Sequence, residues 1–208
     1  VEGFTTSDVM YLITPDRFAN GDLSNDDIKE MRERPNRDDI WGLHGGDIQG
    51  VINNLDYINE MGFTTVWLNP VLENNMERAS YHGYSTTDYY KIDPRFGTNE
   101  LFRELGLKSK DMGIKLVMDM IPNHCGSFHW FFLDPPMDNW FNNQNEYKRT
   151  SHRRQTVQDI YASEIDKKEH ADGWFVETMP DLNQKNPIVS KYLIQNAIWW
   201  TEYAGSVS

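Results

Sequence analysis

Three short apolar runs, at residues 9–14, 63–68 and 114–119, constrain this chain more than any other feature. None shows the polar alternation of a half-exposed strand, so each reads as a strand buried on both faces. Helical patterns lie between them. Ile52, Leu55 and Ile58 recur at helical spacing, and Gly62 is placed to end that helix. Leu101, Leu105 and Met112 fit a second helix, stopped by Gly113. A third opens on Asn186 as N-cap with Pro187 in its first turn. Val189, Tyr192, Leu193, Asn196, Ala197 and Trp200 share one side of it.

Strands that alternate with helices pair in parallel, and parallel strands need helices on their faces. The choice is a doubly wound sheet or a barrel. Thr14-Pro-Asp-Arg-Phe follows the first run where a dinucleotide fold would carry Gly-x-Gly-x-x-Gly. The expected fold class is therefore α/β, a partial (β/α)8 TIM barrel of strands 1–3 with their helices. After the third strand periodicity is lost, and the chain becomes rich in Trp, Phe, Asn, Asp and His. An excursion of that length inside a compact domain is usually functional. Three units are expected: barrel over 1–124, an irregular insertion over 125–178, and a return to the barrel over 179–208.

Composition narrows the partners. Acidic residues outnumber basic ones 32 to 20, for a net charge of −12. Binding to a nucleic-acid backbone needs clustered Lys and Arg, so no nucleic-acid partner is expected. The single cysteine, Cys125, allows no intrachain disulfide and leaves the redox compartment open. No apolar run approaches the ~18 residues of a membrane span. The first residues, Val1-Glu-Gly-Phe, carry no signal-peptide pattern.

The segment Asp119-Met-Ile-Pro-Asn-His124 closes the third strand, the end at which barrel enzymes build their sites. Taken alone, Asp119 reads as the cap of a turn and His124 as a loop histidine. Tyr81-His-Gly-Tyr84 follows the second strand on the same face, and the segment from Asp88 to Gly97 reads as a turn-rich approach to the next helix. The aromatics Phe128, Trp130, Phe131, Phe132, Trp140 and Trp174 read as the core of the insertion, and the run 164–169 as a solvated face. Asn20, Asp22, Asn25 and Asp26 place four oxygen donors within seven positions, and Gly45-Gly-Asp47 comes later. Hard oxygen donors suit Ca²⁺; an ordinary Asn-Gly turn with solvated acids is the alternative.

Together these segments resemble glycoside hydrolase family 13, the α-amylase superfamily, in its neopullulanase and cyclomaltodextrinase branch. Residues 119–124 look like its first conserved region, Asp-x-x-x-Asn-His. Tyr81-His-Gly-Tyr84 with Thr87-Asp-Tyr is similar to its second-strand segment, and Met179-Pro-Asp-Leu-Asn183 to its fifth region. The resemblance implies that Tyr84 stacks on the sugar at the cleavage subsite with His82 beside it. Asp119 would support the floor of the site, and His124 would hydrogen-bond a sugar hydroxyl. It implies a structural Ca²⁺ held by Asn20, Asp22, Asn25, Asp26, Gly45 and Asp47, and an insertion corresponding to the family's domain B. The implied activity is retaining hydrolysis of α-1,4 glucans such as starch, maltooligosaccharides, pullulan or cyclodextrins. It leaves α-1,6 bonds, transglycosylation and a non-catalytic sugar-binding role open. Location in the periplasm or outside the cell is favoured over the cytoplasm.

Retaining glycosidases need two carboxyl groups about 5–5.5 Å apart. In this family they follow strands four and five, and no Arg-x-Asp segment follows the last helix here. The isolated chain is therefore expected to be inactive. Its open strand edge and apolar helix faces are expected to need the remainder of the barrel, another chain, or self-association.

Overall fold

A computed structural model describes residues 3–205; Val1, Glu2 and the closing Ser206-Val-Ser208 lie outside the described residues. The three apolar runs form β1 (Met10–Ile13), β2 (Thr65–Leu68) and the fifth strand in chain order, β5 (Lys115–Met118). They make one parallel sheet in the order β1-β2-β5. Met10 pairs with Thr65 and Thr65 with Lys115, while Ile13 pairs with Leu68 and Leu68 with Met118. The strands thus start and end level. Thr14, Asn69 and Asp119 therefore leave from one edge, and the loops that follow share one mouth.

Helices cover the sheet. Pro15–Phe18 is a single turn, α1. The helix expected around Ile52 is broken in two, α2 (Ile48–Asn53) and α3 (Leu55–Glu60). The cause is Asn54, whose side-chain amide donates to the Gly50 carbonyl at 2.7 Å, while its own N–H turns to Val51 and Ile52. A side chain that offers the backbone an alternative partner interrupts the helical ladder. Helix α4 (Asn99–Asp111) starts at Thr98, whose side chain accepts from Leu101 N. Three short helices, α5 (Trp130–Leu133), α6 (Gln155–Gln158) and α7 (Glu164–Ala171), punctuate the irregular stretch after β5. Helix α8 (Pro187–Ala204) is capped by Asn186, whose side chain accepts from Ile188 N.

The segment from Asp88 to Gly97, expected to be a turn-rich approach, divides: its first half is a strand, and the expected turn follows, with Phe96 N donating to the Asp93 carbonyl at 2.8 Å. β4 (Asp88–Ile92) pairs antiparallel with β3 (Leu72–Glu73), and a 3₁₀ turn at Ser80–His82 lies between them. Gly83 lets this loop close: its φ is +77°, and a Cβ there would meet the Pro70 carbonyl oxygen at 2.0 Å.

The core joins these layers through Ile48, Val51, Val66, Phe102, Leu116 and Trp200, all buried. Its centre is Tyr89 on β4, which is fully buried. Its carbonyl accepts from Asn196 Nδ2 at 2.6 Å and from the Trp200 indole at 2.8 Å, both on α8. Its hydroxyl lies 2.8 Å from the His124 carbonyl and 3.2 Å from that of Ile121. Phe131, Trp140 and Trp174 are buried as expected, whereas Trp130 is about half exposed.

Because Trp200 fills the core and supplies one of these anchoring bonds, Trp200→Ala is expected to destabilise by about 3–5 kcal/mol. Removing the α8 cap with Asn186→Ala should cost only about 1 kcal/mol. Urea unfolding of the two variants measures both, and equal losses would contradict the anchoring role of Trp200.

Candidate functional site

The level strand ends bring Tyr84, Asp119 and His124 to one mouth. Tyr84 Oη donates to Asp119 Oδ2 at 3.1 Å, and Trp67 Nε1 donates to the same oxygen at 3.2 Å. Trp67 lies on β2 and was not singled out in the sequence, because an apolar strand hides a side chain that faces the mouth. Burial raises the Asp119 pKa, and the two hydrogen bonds pull it back. Burial, followed by the neighbouring Asp119 charge, pushes the Tyr84 phenol up to about 12, so it stays protonated as a donor.

The histidines are held in defined tautomers. His124 Nδ1 lies 3.2 Å from the Asn123 amide nitrogen, which can only donate. Nε2 therefore carries the proton and donates to the Tyr84 carbonyl at 3.0 Å. His82 Nδ1 accepts from Tyr84 N at 2.9 Å. Burial lowers the pKa of both rings, so both sit neutral at pH 7. The rings of His82 and Tyr84 lie 5.7 Å apart. Phe175, which sequence reading missed, stacks on His124 at 5.4 Å and 22°. Only its position ahead of Met179-Pro-Asp-Leu-Asn183 could have signalled it.

Behind His124 sits Asp181, 3% exposed. It forms an isolated bridge with His124 and accepts from Asn142 Nδ2 at 2.8 Å. Burial lifts its pKa to about 7.

The oxygen-rich loop folds around Asp47. Its carboxylate accepts from Gly21 N at 3.0 Å, Asp22 N at 2.8 Å and Gly50 N at 2.6 Å, and Asn25 Nδ2 lies 3.4 Å away. Asn20 Nδ2 donates to Asp26 Oδ1 at 2.7 Å. Gly45 is pressed against both: with φ at +87°, a Cβ there would sit 2.7 Å from Asp26 Oδ1 and 2.9 Å from Asn20 Nδ2. Asn20, Asp26 and Gly45 thus converge. Asp22 turns its carboxylate outward to Ser24 N and Oγ, bonds that lower its pKa. Among the described residues no three His, Cys, Asp or Glu side chains cluster as metal ligands. A cation here would rest on amide and carbonyl oxygens beside the carboxylates. Such oxygens are available: Asn20 Oδ1 and Asn25 Oδ1 are buried and lack a hydrogen-bond partner. The donor set fits a hard cation. Asp16, also missed in the sequence, is buried beneath the loop and accepts from His44 N at 2.8 Å and Gly45 N at 3.2 Å.

Comparison with known proteins gives one direction. The family profile described as alpha amylase, catalytic domain, matches residues 12–206. A cyclomaltodextrinase of Thermoanaerobacter pseudethanolicus is 38% identical over 205 residues, covering 94% of this chain and 32% of the relative. Neopullulanase 2 of Thermoactinomyces vulgaris is 34% identical over 211 residues, covering 97% and 34%. The crystal structure of an Anoxybacillus alpha-amylase superposes with a TM-score of 0.79 at 36% identity, covering 95% of this chain and 39% of that one. This chain spans about a third of the length of these two curated relatives.

The raised pKa of Asp181 links stability to pH. The folded chain keeps this proton up to about pH 7, whereas the unfolded chain releases it near 3.8. The associated stability is complete below the lower value and is lost as pH rises through the upper one. With chelator present, Asp181→Asn should melt above the wild type at pH 8, and the gap should narrow at pH 5 and close only below the unfolded value near 3.8. A gap of the same size at both pH values would contradict the assignment.

Proposed function

We propose that this chain, which belongs to the alpha-amylase catalytic-domain family, forms the sugar-gripping part of an enzyme that cleaves α-glucans. The observation that carries the reading is the convergence of Tyr84, Asp119 and His124 at one mouth of the parallel sheet. Tyr84 offers a ring face to a pyranose, with His82 alongside. His124, with both ring nitrogens bonded within the protein, would meet a sugar hydroxyl by exchanging its contact with Asn123 or with the Tyr84 carbonyl. Asp119, which already receives Tyr84 and Trp67 on one oxygen, supports the floor. A neutral polyol suits a site whose rings are uncharged. Bonds to sugar hydroxyls that tighten as the ring distorts lower the barrier, as does holding the ring in place.

The substrates proposed are α-1,4 glucans, among them maltooligosaccharides, pullulan and cyclodextrins. The names cyclomaltodextrinase and neopullulanase among the relatives support that range. The reaction is retaining hydrolysis, with nucleophile and acid/base carboxylates supplied by sequence outside these 208 residues. Exposed apolar side chains support a need for covering structure: Leu12 on β1, and Ile188, Ile194 and Ile198 on α8.

Calcium is the proposed structural cation. Asn20 and Asn25 would offer amide oxygens, Asp26 its carboxylate and Gly45 its carbonyl; Asp47 braces the loop through the N–H groups of Gly21, Asp22 and Gly50, and Asp22 would join only by leaving Ser24. The ion would supply rigidity, tying the loop after β1 to the segment that opens α2.

Two measurements test these readings. The complete gene product should hydrolyse maltooligosaccharides or pullulan, whereas the 208-residue chain alone should not. Within the complete product, Tyr84→Ala and His124→Ala should each lower kcat/KM by about 100-fold. Cleavage by the short chain, or full activity in both variants, would refute the proposal. Separately, saturating Ca²⁺ at about 100 times its Kd should stabilise the protein by about 2.7 kcal/mol. Asn20→Ala combined with Asp26→Ala should abolish that response. A melting temperature indifferent to Ca²⁺ and chelator in the wild type would remove the cation from the account.

A further inference from the structure

A tryptophan is half exposed yet rigidly mounted next to the sugar site. Trp41 is 55% exposed. The backbone on both sides of it is gripped by one guanidinium: Arg17 Nη2 donates to the Ile40 carbonyl at 2.8 Å and to the Gly42 carbonyl at 2.8 Å. Its own N–H donates to Asp39 Oδ1 at 2.9 Å. Arg17 is held in turn by buried Asp16, through Nη1 at 2.9 Å. A large apolar ring left in water on an immobilised loop is a costly arrangement for packing alone. It is a favourable one for stacking a ligand, because the ordering has already been done.

The ring stands at the end of a row. Trp41 lies 6.4 Å from Tyr81, Tyr81 5.5 Å from His82, and His82 5.7 Å from Tyr84. The three contacts are tilted or edge-on, at 50°, 71° and 36°, so each ring braces the next. Tyr81 is fixed from below by the same Arg17, whose guanidinium carbon sits 4.3 Å from the ring centroid. A cavity of about 460 Å³ is lined by two rings of this row, Trp41 and His82. Phe128 and Met179, from the segment after β5, line it too. Arg32 braces Phe128 at 3.8 Å.

We infer that Trp41 is a binding platform for a glucose unit remote from the scissile bond, and that the row from Tyr84 to Trp41 sets a preference for longer α-glucan chains. The inference rests on the sugar-gripping reading of Tyr84 and His124 and adds an outer subsite to it. Trp41 touches no reacting atom under this assignment. Its contribution is felt only by substrates long enough to reach it.

The test compares maltotriose with maltoheptaose as substrates of the complete gene product. In Trp41→Ala, the ratio of kcat/KM for maltoheptaose to that for maltotriose should fall about tenfold, through KM, and Trp41→Phe should restore most of it. Near-ultraviolet circular dichroism checks that the loop and core are unchanged. An unaltered ratio in a folded Trp41→Ala protein would overturn the inference while leaving the sugar-gripping reading intact. If the wild-type product neither binds nor cleaves either oligosaccharide, the sugar-gripping reading fails and takes the outer subsite with it.

Discussion

The arrangement depends on Tyr89. A tyrosine buried in an apolar core must find a partner for its hydroxyl, and its strand must satisfy each carbonyl. Tyr89 does both across layers: its hydroxyl meets the main chain of the loop carrying His124, and its carbonyl takes two donors from α8. One residue of β4 thus locks the loop after β5 and the last helix into a single relation. His124 stands where it does because its own carbonyl is held from beneath.

From that anchor the site is assembled by hydrogen bonds that each determine the next. Asn123 sets the tautomer of His124, whose remaining proton is directed at the Tyr84 carbonyl. Tyr84 N in turn fixes His82, and the Tyr84 hydroxyl reaches Asp119. Burial keeps both rings neutral. The chain carries a net charge of −12, yet Asp119 is the carboxylate that Tyr84 and Trp67 both contact. A cluster of oriented donors and ring faces around one supported carboxylate matches an uncharged, hydroxyl-rich ligand better than a phosphate or a cationic one.

Much of the fold was legible because its signals are local. Buried parallel strands are continuous apolar runs, and the cap Asn186 lies two residues from the N–H group it satisfies. The hairpin of β3 and β4 was hidden, since β3 has two residues and its partner follows a long loop. The break at Asn54 was hidden too: a side chain competing with the backbone leaves the apolar spacing of Ile52, Leu55 and Ile58 intact. At the site, Tyr84, Asp119 and His124 carried a motif resemblance. Trp67 and Asp16 did not, because each is defined by a partner far along the chain, 52 and 28 residues away.

That distance also explains why the two candidate sites cannot be treated separately. Asp16 and Arg17 are neighbours in one turn of α1, and they face different tasks. Asp16 accepts the N–H groups of His44 and Gly45, where the oxygen-rich loop closes. Arg17 holds the carbonyls flanking Trp41 and lies over Tyr81, at the edge of the aromatic row. The salt bridge between them joins the two assemblies through a buried carboxylate. Losing one partner of such a pair leaves the other charge desolvated and unmatched, which costs more than the pair contributes while intact. The oxygen-rich loop and the row of rings therefore share one support, and rigidity given to the loop is rigidity given to the row.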